Sequence, residues 1–203
     1  MMAGLFAHVF RIGPGIPPFL AVRYLWYAFI LYWLVSALKR KKTKQRESIL
    51  QRLVYILPLL IAFYLLYNPR TDFGLLATYF VPHTLEAQWA GVAIMALGVA
   101  TAIWARVHLG SNWSGVVTLK EGHELIRTGP YRNIRHPIYT GILVAFLGNA
   151  IVNGQVRGLM ALVVMWASFY IKARREEAFL EQEFGPKFHE HTQHTGMFLP
   201  KFS

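Results

Sequence analysis

The 203-residue chain contains no cysteine, which excludes disulfides, thiolate catalysis and cysteine-ligated zinc or iron–sulfur centres. Histidines and carboxylates are the metal-ligating groups that remain. Charge is scarce too: Asp, Glu, Lys and Arg make up 15% of the residues, where about 25% is usual in soluble proteins. Acidic residues are the scarcest, 10 against 21 Lys and Arg, for a net charge of +11. In a soluble protein that excess points to nucleic acid. Here hydrophobic residues reach 55% and mean hydropathy is +0.34, so it reads instead as the positive-inside bias of a membrane protein. A freely soluble enzyme and a nucleic-acid partner are both excluded. There is also no Gly-x-Gly-x-x-Gly after a strand, and no soluble α/β domain to carry one.

What is present is a series of apolar runs near spanning length, about 20 residues. The first, 19–38, is interrupted only by Arg23; the second, 49–67, contains Pro58, where a kink is expected. The third, 89–104, is rich in small residues (Gly91, Ala93, Ala96, Gly98, Ala100, Ala102) and predicts a central helix packed backbone to backbone. The block 138–171 is too long for one span and breaks at Asn153-Gly154, so it reads as a helical hairpin. Residues 1–18, with Gly13-Pro14-Gly15 and Pro17-Pro18, read as a lead-in and not as a signal peptide.

Basic residues orient these spans. Lys39, Arg40, Lys41, Lys42, Lys44 and Arg46 follow the first span; Arg106, Lys120, Arg127, Arg132 and Arg135 lie between the third and fourth; Lys172, Arg174, Arg175, Lys187 and Lys201 follow the fifth. The other side has Arg11, Arg70 and Arg157. The expectation is an all-α integral membrane protein of about five transmembrane helices, N-terminus out, with a cytoplasmic segment and a C-terminal helix. It forms one membrane domain, 1–203, in which 1–105 holds spans one to three and 106–203 the chemistry.

Two cytoplasmic stretches are richer in polar and special-geometry residues than a connector requires. One runs from Gly122-His123-Glu124-Leu125-Ile126 through Gly129-Pro130-Tyr131 to Arg135-His136-Pro137-Ile138-Tyr139-Thr140-Gly141. Pro137 suits the first helical position, and His136 is expected to cap an N-terminus whose amides favour an anion. Taken alone, the stretch equally fits a basic loop binding lipid phosphates. The other carries Lys172, Arg174, Arg175, Glu176, Glu177, Leu180 and Phe184 into the cytoplasm until Gly185-Pro186. Lys172 and Glu176 share a face, and the apolar stripe predicts docking. His189, His191 and His194 read as a solvated tail without a metal, and Trp26, Trp104 and Trp113 as interfacial anchors.

With these residues in view the chain resembles the isoprenylcysteine carboxyl methyltransferases and their prokaryotic relatives, which in turn resemble phospholipid N-methyltransferases. The likeness rests on Gly122-His123-x-Leu125-Ile126, Gly129-Pro130-Tyr131, Arg135-His136-Pro137-x-Tyr139-x-Gly141, and Glu176-Glu177 followed by Phe184-Gly185 and Pro200. It implies an S-adenosylmethionine-dependent membrane methyltransferase acting on a carboxylate of a lipophilic or prenylated acceptor, with membrane lipids around it and its active site on the cytoplasmic face. It also implies a cofactor site of His123, Glu124, Leu125, Ile126, Tyr131, His136, Pro137, Ile138, Tyr139 and Glu176. The family usually has an Arg one turn before that Glu to hold the acceptor. Here Lys172 stands there, with Arg175 nearby, so Lys172, Arg175 and Glu176 are the expected catalytic residues and Lys172 or Arg175 the substrate anchor. The alternatives are an amine N-methyltransferase, a reductase like the sterol reductases, which share the Arg-His-Pro-x-Tyr pattern, and a non-catalytic lipid-binding or transport protein.

Overall fold

The computed structural model describes residues 16–38, 43–46, 49–113, 118–120 and 125–201. The helices are α1 (Pro18–Ser36), α2 (Ile49–Tyr67), α3 (Leu85–Leu109), α4 (Pro137–Asn153), α5 (Val156–Phe184) and α6 (Pro186–His194). Two short strands, β1 (Thr43–Arg46) and β2 (Thr118–Lys120), pair antiparallel with Arg46 opposite Thr118. This ribbon ties the basic loop after α1 to the segment before α4, at one end of the molecule.

Local sequence sets the helix ends. Pro18 opens α1 in its first turn, where a missing N–H costs nothing. The Ala87 N–H donates to the Thr84 hydroxyl at the start of α3, with Glu86 in the first turn and Arg106 and His108 in the last, matching the helix dipole at both ends. Gly154, at φ +73°, ends α4 in the left-handed region that glycine adopts without strain, and α5 starts two residues later. That is the hairpin expected at Asn153-Gly154. α2 continues through Pro58.

Among the described residues, three helices are long and apolar enough to cross a membrane: Pro18–Ser36, Leu85–Asn112 and Val156–Phe184; Leu53–Tyr67 and Pro137–Asn153 are shorter apolar helices. At the centre α3 and α4 interlock through glycines. A Cβ on Gly98 would stand 2.5 Å from the Gly141 carbonyl oxygen, and one on Gly148 2.5 Å from that of Gly91. Gly91 and Gly98, like Gly141 and Gly148, are seven residues apart, about two turns, so each pair lines one face. Backbones therefore meet directly, as small residues permit between membrane helices.

α1 is fastened to this pair by Arg106. Its guanidinium donates to Ser36 O and Gly110 O, both at 2.7 Å, and lies 4.5 Å over the Trp113 ring. The last carbonyls of α1 thus find a donor on α3. Arg106→Met should lower the unfolding midpoint in detergent by the equivalent of about 1.5–3 kcal/mol, and Arg106→Lys by less; equal midpoints for wild type and both variants would show the clasp to be idle.

Two of the tryptophans expected as interfacial anchors are core residues. Trp26 is buried, with its Nε1–H donated to Asn149 Oδ1 at 2.9 Å, and Trp113 is buried beneath Arg106. A buried acceptor or cation draws the amphipathic ring inward as readily as a headgroup draws it outward. Trp104 is exposed.

Candidate functional site

The polar residues of the Arg-His-Pro segment and of the C-terminal half of α5 meet where α4 begins. His136 occupies the N-cap position, but its side chain makes no cap hydrogen bond. This corrects the expected capping role. The imidazole turns to α5, with Nδ1 3.5 Å from Glu176 Oε2 and Nε2 3.2 Å from Glu177 Oε1. Two carboxylates outcompete neutral amides for it. The segment after α6 lies across the same end: the N–H groups of Arg135 and His136 donate to Gly196 O and Met197 O, and the Thr140 hydroxyl to Phe198 O.

With a carboxylate oxygen at each ring nitrogen, His136 satisfies both contacts only as an imidazolium. Burial disfavours that charge, but hydrogen bonds and attraction from Glu176 and Glu177 outweigh it and hold the pKa above the ordinary histidine value. Glu177 is further bound by Arg135 Nε at 2.7 Å. Glu176 accepts a hydrogen bond from the Tyr139 hydroxyl at 2.6 Å. The Tyr139 ring is stacked between His136 and Phe169, at 5.4 and 4.6 Å. Lys172 Nζ lies 4.8 Å from the Tyr55 ring centre and 5.4 Å from that of Tyr139, within cation–π range.

These groups form one end of a cavity of about 520 Å³, a size suited to a small-molecule site. Its polar end holds Lys172, Glu176, His136 and His191; an apolar arm runs between α1, α2, α4 and α5 to Trp26, Phe63, Phe146 and Met165. Ile30 of α1 and Ile56 and Leu59 of α2 line the cavity while remaining exposed on the outside, so the arm opens sideways between those helices.

Of the residues expected at the site, Leu125, Ile126, Tyr131, His136, Ile138, Tyr139, Lys172 and Glu176 line this cavity. Burial pushes the Tyr131 phenol well up, helped by the nearby Glu176 charge. Pro137 is buried at the first turn of α4 and Arg175 is half-buried on α5, and neither is in the cavity lining. His123 and Glu124 lie outside the described residues.

The reading of the histidine tail is corrected. His189, His191 and His194 belong to α6, and His191 is buried in the cavity wall. Burial and the charges of Arg127 and Arg135 lower its pKa, so it faces the cavity as a neutral imidazole with a donor and an acceptor. Among the described residues no three His, Asp or Glu side chains are placed to hold a metal. Sequence reasoning also missed the aromatic wall from α1 and α2, including Trp33 and Tyr55, which carries no motif.

Fold and site together define a class: a predominantly helical integral membrane protein whose long cavity joins a charged, aromatic rim to an apolar interior. Residues 87–187 match the phospholipid methyltransferase family model. The chain is 30% identical over 114 residues to a probable protein-S-isoprenylcysteine O-methyltransferase of Oryza sativa subsp. indica, covering 54% of this chain and 60% of that protein. It is 28% identical over 116 residues to the protein-S-isoprenylcysteine O-methyltransferase of Schizosaccharomyces pombe, covering 56% and 49%. The solved structure of a eukaryotic intramembrane Ras methyltransferase, isoprenylcysteine carboxyl methyltransferase, superposes with a TM-score of 0.62 at 20% identity, covering 92% of this chain and 68% of that one. The chain is thus similar in sequence to protein-S-isoprenylcysteine O-methyltransferases and shares the fold of the solved one. It spans about 60% of the length of the rice protein and half that of the yeast one.

Proposed function

We propose that the protein is an S-adenosylmethionine-dependent methyltransferase that esterifies the carboxylate of a lipophilic acceptor, with its active site at the cytoplasmic face of the membrane. The observation that carries this reading is one cavity lined by Lys172 and the Tyr139–Glu176–His136 cluster at its polar end and continuous with the apolar arm. The cofactor supplies an electrophilic methyl on a positively charged sulfur. The residues at the polar end fit such a group: a carboxylate and stacked aromatic rings suit a sulfonium, while His191 and Tyr131 offer hydrogen-bonding edges to a polar ring or ribose. Leu125 and Ile126 add apolar wall.

For the reaction, the protein must align the two reactants and strip water from the acceptor. Lys172 draws a carboxylate to the junction of rim and arm. Being a point charge, it leaves one carboxylate oxygen to attack, where a planar Arg fork would engage both. No base is required, because the attacking oxygen carries no proton. This favours a carboxylate over an amine as the acceptor. An ammonium acceptor needs a proton acceptor, yet His136 is engaged at both nitrogens and Glu176 by Tyr139 and His136. Lys172 would also repel it.

The anchor can be tested within α5. Lys172→Ala is expected to lower kcat/KM for the acceptor by about 10- to 100-fold, the loss of one charge-assisted contact, with S-adenosylmethionine affinity nearly unchanged. Lys172→Arg should keep partial activity and Arg175→Ala most of it. If Arg175→Ala alone abolishes turnover while Lys172→Ala is silent, Lys172 is not the anchor.

A further inference from the structure

The apolar arm ends at a built floor. Trp26 of α1, Phe63 of α2 and Phe146 of α4 meet edge to face, with all three centroid separations between 5.4 and 5.5 Å. Such a triad has no gap for a carbon chain. It is held from beneath: Trp26 Nε1–H and the Tyr67 hydroxyl both donate to Asn149 Oδ1, at 2.9 and 2.5 Å, and Asn149 lies one turn beyond Phe146. An apolar tail driven past the rings would break these buried hydrogen bonds.

Resting on the reading of the cavity as the site of a lipophilic acid, we infer that this triad, and Phe146 in particular, sets the length of the acceptor's apolar tail at about eight carbons. The depth follows from the helices. Tyr139 and Phe146 are seven residues apart on α4, and Lys172 and Met165 seven apart on α5, so either wall measures about 10 Å from charged rim to floor at ~1.5 Å per residue. An extended chain advances roughly 1.3 Å per carbon, given C–C bonds of about 1.5 Å. The matching class is a medium-chain or two-isoprene acid. A longer tail must fold back or leave between α1 and α2, where Ile30, Ile56 and Leu59 flank the opening.

Phe146→Ala deletes six ring carbons and deepens the arm by roughly three or four methylenes. Binding of straight-chain acids of six to fourteen carbons would be measured on the purified full-length protein, wild type against Phe146→Ala. Taking their ratio at each length cancels partition into the detergent micelle. The ratio should stay near one up to about eight carbons, then rise in favour of the variant by up to fourfold per carbon and level off by about twelve. Phe146→Leu gives a smaller shift in the same direction and serves if the alanine variant fails to fold. A ratio independent of length, or absence of binding by any acid, overturns the inference. Methyl transfer from labelled cofactor to the same acids is followed in parallel. A length break in binding without transfer removes the methyltransferase reading and leaves the floor in place; transfer with no length dependence does the reverse.

Discussion

Glu176→Gln is expected to weaken S-adenosylmethionine binding by about 10- to 100-fold, corresponding to the loss of about 1.5–3 kcal/mol from charge-assisted contacts. Glutamine keeps the length of the side chain and an oxygen for the Tyr139 hydroxyl, now 2.6 Å away, so the change isolates the negative charge. That charge has two calls on it in the folded protein, His136 at 3.5 Å and the attraction of Lys172, and a bound sulfonium would be a third. Equilibrium binding to purified protein checks this, with the unfolding midpoint as a control. His136→Ala is a poorer probe than its rim position suggests. The ring is buried, stacked on Tyr139 and flanked by Phe198, so its removal opens a cavity and leaves the buried Glu177 with Arg135 alone and the half-buried Glu176 with Lys172 alone, at a cost of about 3–5 kcal/mol of stability. Unchanged affinity in Glu176→Gln would remove the carboxylate from the cofactor site.

The second large effect is structural. Gly98→Leu should prevent recovery of a folded, monodisperse protein, and Gly98→Ala should destabilise by about 1–3 kcal/mol, the usual range for overpacking. The reason is geometric. The position facing Gly98 is the Gly141 carbonyl, part of a helix backbone that cannot rotate aside as a side chain can. Separating α3 from α4 at that point also pulls on Gly148 and Gly91, one heptad away, and on the cavity wall that α4 supplies. Ala100, two residues along α3, is exposed, and Ala100→Leu should be silent in the same thermal unfolding assay. Equal recovery of Gly98→Leu and Ala100→Leu would show that the close approach is not what joins the helices.

Those glycines also mark how far the sequence could be read. Small residues at 91, 98 and 102 announce a close helix approach without naming the partner, which only the fold supplies: Gly141 and Gly148 on α4. The hairpin was legible because Asn153-Gly154 interrupts an apolar block, and glycine there adopts positive φ. The rim was legible as a set of unusual residue types, and Lys172 and Glu176 do share one cavity, as their spacing of four requires. The role of His136 was not, because local sequence describes the helix it precedes and says nothing of two carboxylates forty residues later. His191 was hidden for the same reason: its cavity neighbours come from other helices. Trp26, Phe63 and Phe146 were invisible in principle, since an aromatic residue lining a cavity and one facing lipid occur in identical apolar runs. The β1–β2 ribbon, short and polar, lacks the alternation that reveals strands.

The most direct test of the central claim uses S-adenosylmethionine labelled in its methyl group, the purified protein in lipid, and medium-chain carboxylic acids and amines as competing acceptors. The account predicts label in the acids, released as volatile methanol by mild alkali as a methyl ester requires, and lost in Glu176→Gln. Label confined to alkali-stable amine products, or no binding of the cofactor at all, would contradict it.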